Sequence, residues 1–265
     1  MSDSRRYAVL IRTFNSSATL AQTVRSLQQQ EIPPSQFVFV DSGSTDDCLR
    51  AAPPGADIHR FQGAEYNYSD ALNQGVQLVR EDHCLVISSH TSLQRPEAMR
   101  YALNLLATDP SIGAAYFCTD GGPLSYRLID RHNFNGFNGV WNTCGLFRSA
   151  LLQARPFRNE VYSAEDQEWS SWLFTEKDMK IARISGGGMQ YDNPRKYPLR
   201  KWLAEYLSVA TFAKPELKSW AMIARVAYRV IKPRSILRDR YYNFVLFFRL
   251  VGCRFREPRL KSKYW

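Results

Sequence analysis

Short apolar runs alternate with amphipathic segments over the first two-thirds of the chain. Tyr7–Ile11 (YAVLI), Phe37–Val40 (FVFV), Cys84–Ile87 (CLVI), Ile112–Cys118 and Met179–Ile184 are such runs, and Ile58–Phe61 is a shorter candidate. Aromatic and β-branched types recur in these runs, and polar alternation is slight. That pattern predicts strands buried on both faces. Between them, helices are predicted from Ser16 or Ser17 to Gln30, over Ser69–Val79, Pro96–Ala107 and Ala164–Phe174, with a short one at Cys48–Ala52. Leu20, Val24 and Leu27 in the first, and Ala71, Leu72, Gly75 and Val76 in the second, fall at helical spacing. Trp141–Phe147 reads as a further strand. This rhythm predicts an α/β fold with a mostly parallel central sheet and helices on both faces. It lapses between Thr119 and Gly139, where Gly121-Gly122-Pro123 and the run FNGFNG predict a long loop or a β excursion.

From Tyr197 onward the pattern becomes helical, basic and aromatic. Residues 195–265 carry 18 Lys and Arg against 4 Asp and Glu, a charge of +14 within a chain whose total is +10. The first 194 residues are therefore mildly acidic. A basic charge confined to one end implies a local contact with an anionic surface and not a nucleic-acid protein throughout. Trp202, Tyr206, Trp220, Tyr228 and the run Tyr241–Leu250 interleave with the cations. Three uses fit that composition: an interfacial segment on an anionic membrane, a helical extension packed on the main domain, and single-stranded nucleic-acid binding. The membrane surface is the favoured partner and nucleic acid the least favoured.

The chain has five cysteines without CxxC spacing, which read as free thiols in a reducing, cytoplasmic setting. The opening residues lack the apolar core of a signal peptide, and no window of about 20 apolar residues is present. Two units are expected: residues 1–206 as the α/β domain and 207–265 as the basic extension.

Candidate chemistry sits in the loops after the strands. Asp41 ends the second strand and opens the loop Ser42-Gly43-Ser44-Thr45-Asp46-Asp47. Thr13 and Asn15 follow the first strand, Ser88-Ser89-His90 the fourth, and Glu165-Asp166 start a helix. In a parallel sheet such loops converge on one edge, where open α/β sheets bind ligands. P-loop, GxGxxG, HExxH and GxSxG motifs are all missing.

In order, the pieces AVLIRTFNSSATLAQTVRSLQQQ, FVFVDSGSTDD, YSDALNQG, CLVISSHTSLQRPEAM and AEDQEW resemble family 2 glycosyltransferases of the GT-A fold. The likeness spans about residues 7 to 206, and YPLRKWLAEY is similar to a segment of bacterial surface-polysaccharide transferases, rhamnosyltransferase-like members included. The resemblance implies an inverting transfer of a sugar from a UDP- or dTDP-sugar to a glycan or lipid-linked acceptor. Thr13, Asn15, Asp41, Ser42, Asn73, Ser88 and Ser89 would meet the nucleotide sugar. Asp166, supported by Glu165, would be the general base. Independently of the resemblance, Trp141, Asn142, Trp169 and Trp172 could form an acceptor wall, since sugars stack on indole faces; equally, Trp169 and Trp172, three apart on one helix, could be core. Ser88-Ser89-His90 stands where the family has its DxD, so the implied divalent ion (Mn²⁺ or Mg²⁺) would rest on His90, with Asp192 or Asn193 near a later ligand position. A metal-independent enzyme, with His90 or Arg and Lys side chains taking the leaving-group charge, is the other possibility. The alternatives to an active transferase are an inactive, glycosyltransferase-like binding protein and a binding module led by the basic tail.

Overall fold

The computed structural model describes residues 6–63, 65–161, 163–192, 199–232 and 236–256. Its main sheet has eight strands in the order β3-β2-β1-β4-β8-β6-β9-β7. These are β1 (Tyr7–Thr13), β2 (Gln36–Asp41), β3 (Asp57–Arg60), β4 (His83–Ser88), β6 (Ile112–Phe117), β7 (Ser125–Ile129), β8 (Cys144–Arg148) and β9 (Lys180–Ser185). Six of the eight run the same way; β8 and β7 run against their neighbours. A second sheet pairs β5 (Thr91–Leu93) with β10 (Met189–Tyr191) antiparallel.

The two-residue period of the strands divides the core cleanly. Leu10, Val38, Val40 and Val86 point to one face, where α2 (Tyr68–Val76), α4 (Ser149–Ala154) and α5 (Glu165–Glu176) pack. Val9, Ile11, Phe37, Phe39, Leu85 and Ile87 point to the other, under α1 (Leu20–Gln28) and α3 (Ala98–Thr108). Because both faces are covered, the strands read as unbroken apolar runs. Each large side chain so buried, such as Met99, Leu103 or Leu106 of α3, contributes about 1.5–3 kcal/mol. α2 lies especially close to the sheet: a Cβ on Gly75 would meet Leu10 Cδ1 at 2.3 Å and Val40 Cγ2 at 2.8 Å.

Several boundaries differ from the sequence expectation. α1 starts at Leu20 and not at Ser16 or Ser17, because those residues hold the preceding loop. Ser16 Oγ hydrogen-bonds Ser89 Oγ, and Ser17 N–H donates to Asp46. The strand expected from Trp141 starts at Cys144; Trp141 and Asn142 lie in the loop before it. The stretch 119–139 contains β7, which closes the sheet edge against β9. Its later part docks on α5, where Gly139 N–H donates to Gln167 and Val140 N–H to Ser170 Oγ.

After the second sheet come α6 (Leu199–Ser208), a π turn at Val209–Ala213, a 3₁₀ turn at Pro215–Lys218, α7 (Trp220–Ile231) and α8 (Leu237–Phe255). Leu203, Leu207 and Ala210 form a separate core with Ile223, Val226, Leu246 and Leu250. Val209 and Ala213 belong instead to the core beneath the sheet. The boundary expected at residue 206 thus falls inside α6, and the π turn that follows it ties the extension to the main domain. Among the described residues, no helix is long and apolar enough to cross a membrane.

Candidate active site

The strand ends gather the expected polar residues along one edge. β1 and β2 pair in register up to Thr13 beside Asp41, so both lie at the same height. Asp41 is only 3% exposed, and its carboxylate accepts from Ser44 N–H (3.1 and 3.2 Å) and Ser44 Oγ (2.6 Å). That is a local side-chain turn, which fixes the loop and leaves acceptor lone pairs over. Asn15 adopts φ 48°, in the left-handed region that Asn tolerates. Its Oδ1 accepts from Thr45 N–H at 2.8 Å, and its own N–H donates to Ser44 Oγ. Asn15 therefore laces the β1 loop to the β2 loop. Thr13 is buried, its hydroxyl 3.7 Å from Cys48 Sγ, and Ser42 N–H donates to its carbonyl.

The next strand end belongs to the same cluster. The Ser88 N–H donates to Thr143 O. The Ser89 carbonyl accepts from the hydroxyls of Thr19 (2.9 Å) and Thr23 (3.1 Å). Asn73 is placed elsewhere. Its Nδ2 donates to Phe157 O at 2.8 Å and its Oδ1 accepts from Phe157 N–H at 2.9 Å. Both ends of the amide are spent on pinning α2 to the loop after α4.

The acid pair opens α5. Its first turn holds Glu165, Asp166 and Glu168, which suits the positive end of the helix dipole. Asn142 clamps the pair: its N–H donates to Asp166 Oδ2 at 3.1 Å and its Nδ2 to Glu165 Oε1 at 3.2 Å. Asp166 Oδ1 also accepts from Gln167 N–H at 2.8 Å. Burial, with the charge of Glu165 beside it, raises Asp166 to about 7. A carboxyl so tuned takes up a proton readily near neutrality. Trp141 is half-buried, its indole N–H on Phe137 O and its ring 5.1 Å from Tyr116. Trp169 is fully buried, with its indole N–H on Arg155 O; it is core and offers no face to an acceptor.

Two further residues join the acids without having been singled out in the sequence. Arg12, at the end of β1, lies 3.7 Å from Glu165 Oε1, donates to Tyr68 O at 3.0 Å and sits over the Tyr68 ring. Its position at a strand end was the available signal. Glu205 comes from α6 and lies within the YPLRKWLAEY segment, whose likeness to polysaccharide transferases did not single it out. It accepts from Ser163 Oγ at 2.7 Å and lies 3.7 Å from Lys201 Nζ. Burial drives its carboxyl up to about 8, and the negative charges of Asp166 and Glu165 add to the rise.

His90 and Asp192 are neighbours. The β5–β10 ladder continues one step further, with Asp192 N–H donating to His90 O at 2.9 Å. The His90 ring packs 5.0 Å from that of Tyr191. Both line a cavity of about 300 Å³ with Thr19, Gln22, Thr23 and Gln190. Asn193 lies outside the described residues. Among the described residues, no group of three or more His, Cys, Asp or Glu side chains could hold a metal ion. Among the described residues an ion here would find His90 and Asp192, and a phosphate-bearing ligand would have to supply further oxygens. The His90–Asp192 donor set suits Mn²⁺ better than Mg²⁺, which prefers oxygen throughout.

Several solved structures share this fold. No curated protein matches the chain in sequence. Among solved structures, glucosyl-3-phosphoglycerate synthase from Mycobacterium tuberculosis, in complex with Mn²⁺, uridine diphosphate and phosphoglyceric acid, superposes with a TM-score of 0.61 at 18% identity, over 79% of this chain and 78% of that one. The mannosyltransferase PcManGT from Pyrobaculum calidifontis, in complex with GDP-Man and Mn²⁺, gives 0.62 at 13% identity, over 94% and 87%. TarS from S. aureus gives 0.57 at 14%, over 94% and 91%. At such identities the likeness is one of fold. Residues 8–170 match the family described as Glycosyl transferase family 2, a span that includes all but the first residue of β1, the Asp41 loop, the Ser88-Ser89-His90 segment and the Glu165-Asp166 pair. This match covers more than half of the chain, which therefore belongs to glycosyl transferase family 2.

Proposed function

We propose that this glycosyltransferase moves a sugar, with inversion, from a UDP- or dTDP-sugar to a hydroxyl of a glycan or lipid-linked acceptor in surface-polysaccharide synthesis, with Asp166 as general base. The observation that carries the reading is the placement of Asp166 in the first turn of α5, its carboxylate accepting from Asn142 N–H and Gln167 N–H; burial and the charge of Glu165 raise that carboxyl to about 7. In the step, the acceptor oxygen attacks the anomeric carbon as its proton passes to Asp166. The bond from that carbon to the β-phosphate oxygen breaks, and the nucleoside diphosphate departs with the electron pair. Asp41, buried at the end of β2, would accept from the N3–H of a pyrimidine base. A divalent ion held by His90, Asp192 and the donor phosphates would neutralise the leaving diphosphate. Arg12 holds Glu165 in place beside the base.

Retention of both Asp41 and Asp166 weighs against an inactive, sugar-nucleotide-binding protein. Titration calorimetry with UDP and with dTDP, each in Mn²⁺, Mg²⁺ and EDTA, tests the donor half. Binding that depends on Mn²⁺ supports the shared ion. Binding unchanged by EDTA removes the ion from the reading and leaves the transfer itself standing. Absence of binding under every condition removes the donor reading. For the base, Asp166→Asn should keep donor affinity and lose about 10²–10⁴ in kcat; full activity of that variant would show that another group takes the proton.

A further inference from the structure

The described residues expose fourteen large hydrophobic side chains, and nine of them lie between Trp220 and Phe255, on or between α7 and α8. On α8 they are Leu237, Tyr241, Phe244, Phe248 and Phe255, each 50–80% exposed. Steps of four, three, four and seven put all five on one line along the helix. The opposite side of α8 holds Leu246 and Leu250, which are buried against α6 and α7. α8 is thus apolar on two faces, of which the fold covers only one. Arg238 and Arg249 fall to one side of the exposed line, and Arg240 and Arg254 to the other.

α7 carries a matching line. Trp220, Ala224, Tyr228 and Ile231, at steps of four, four and three, are all exposed. The first residue of α7 meets the last of α8: the Trp220 and Phe255 rings lie 6.4 Å apart, with the Arg254 guanidinium over the indole at 5.5 Å. The two helices therefore run antiparallel, and their apolar lines join at that end. Residues 220–256 contain nine Arg and Lys against one acid, Asp239.

We infer that the α7–α8 hairpin is a docking surface for an anionic phospholipid bilayer, its aromatic line seated at the headgroup boundary and its arginines on the lipid phosphates. Charge decides among the occupants. A second copy of the chain would bring the same cationic surface against this one, and like charges facing one another repel. Single-stranded nucleic acid offers bases to stack on aromatic rings, but Ile231, Ile236 and Leu237 have no stacking face. Anionic lipid satisfies both halves of the surface, since acyl chains take the apolar line and phosphates take the cations. This inference rests on the surface alone and stands or falls separately from the donor and acceptor reading.

The test uses the full chain and vesicles of phosphatidylcholine alone or mixed equally with phosphatidylglycerol. The chain should float with the mixed vesicles and stay behind with the neutral ones, and added salt should weaken the binding. The blue-shift of tryptophan emission on binding should be smaller in Trp220→Phe. Phe244→Ser combined with Phe248→Ser, both on the exposed line, should weaken binding about tenfold or more. Its circular-dichroism melt and its affinity for UDP should match those of the parent. Arg238→Gln with Arg249→Gln gives an independent variant that should bind the mixed vesicles several-fold more weakly, with less of the binding sensitive to added salt. Failure of the full chain to float with the mixed vesicles overturns the inference. So does equal flotation of parent and double-serine variant, or a chain dimer that the serine variant abolishes.

Discussion

Replacing Glu165 by Gln removes one negative charge from the immediate surroundings of Asp166 while keeping the acceptor for Asn142 Nδ2. Two causes raise Asp166 to about 7: burial first, and then the charge of Glu165. The substitution cancels only the second. Arg12, now without its partner at 3.7 Å, stays beside the site, and its positive charge favours ionised Asp166 further. Both changes have the same sign, so the acid titrates lower. A drop of about one unit corresponds to about 1.4 kcal/mol, modest for a like-charge neighbour in a partly dry site. At pH 6 a group titrating near 7 is about one-tenth ionised, and one titrating near 6 is half ionised, so the active fraction rises about fivefold. The assay is the pH profile of kcat at saturating donor and acceptor, each enzyme normalised to its own plateau. In parent and variant alike the acidic limb is assigned to Asp166, whose carboxyl is raised by burial and, in the parent, by the charge of Glu165 as well. An acidic limb that stays in place, or moves to higher pH, would refute the assignment of Asp166 as the group that controls it.

Glu205→Gln should raise the melting temperature at pH 9 and leave it unchanged below pH 4. The folded-state value of about 8 lies above the ordinary carboxyl value, so the folded chain holds the proton longer than the unfolded one. Stability is therefore lost as pH rises through that window, and the neutral amide escapes the loss. Asn73→Ala should lower stability by about 1–2 kcal/mol in urea unfolding, since it strands the Phe157 N–H and carbonyl; an unchanged affinity for UDP would separate this pin from a donor contact. Gly75→Ala should cost about 1–3 kcal/mol by the same measurement, because its Cβ would press into Leu10 and Val40.

Much of the α/β domain was legible because its signals are local. Unbroken runs such as FVFV can be buried on both faces only in a covered, largely parallel sheet, and they end where the chain must turn to polar loops. Asp41 stands at such an end, so its place at the ligand-binding edge follows from topology alone; the Glu165-Asp166 pair opens α5 and is joined to that edge through Asn142, in the loop before β8. The exceptions were decided by tertiary contacts. β7 is a strand because β9 offers it a free edge, and Trp141 is excluded from β8 because the loop before it must reach Asp166. Asn73 could not be told from a ligand contact until its amide was seen on Phe157. Glu205 lies some forty residues beyond the acid pair, and only the packing of α6 brings its charge into range. The five-residue apolar line of α8 was present in the sequence as composition. Which of that helix's two apolar faces would be buried depended on α6 and α7, since a side chain's exposure is set by what packs against it and not by its own hydrophobicity.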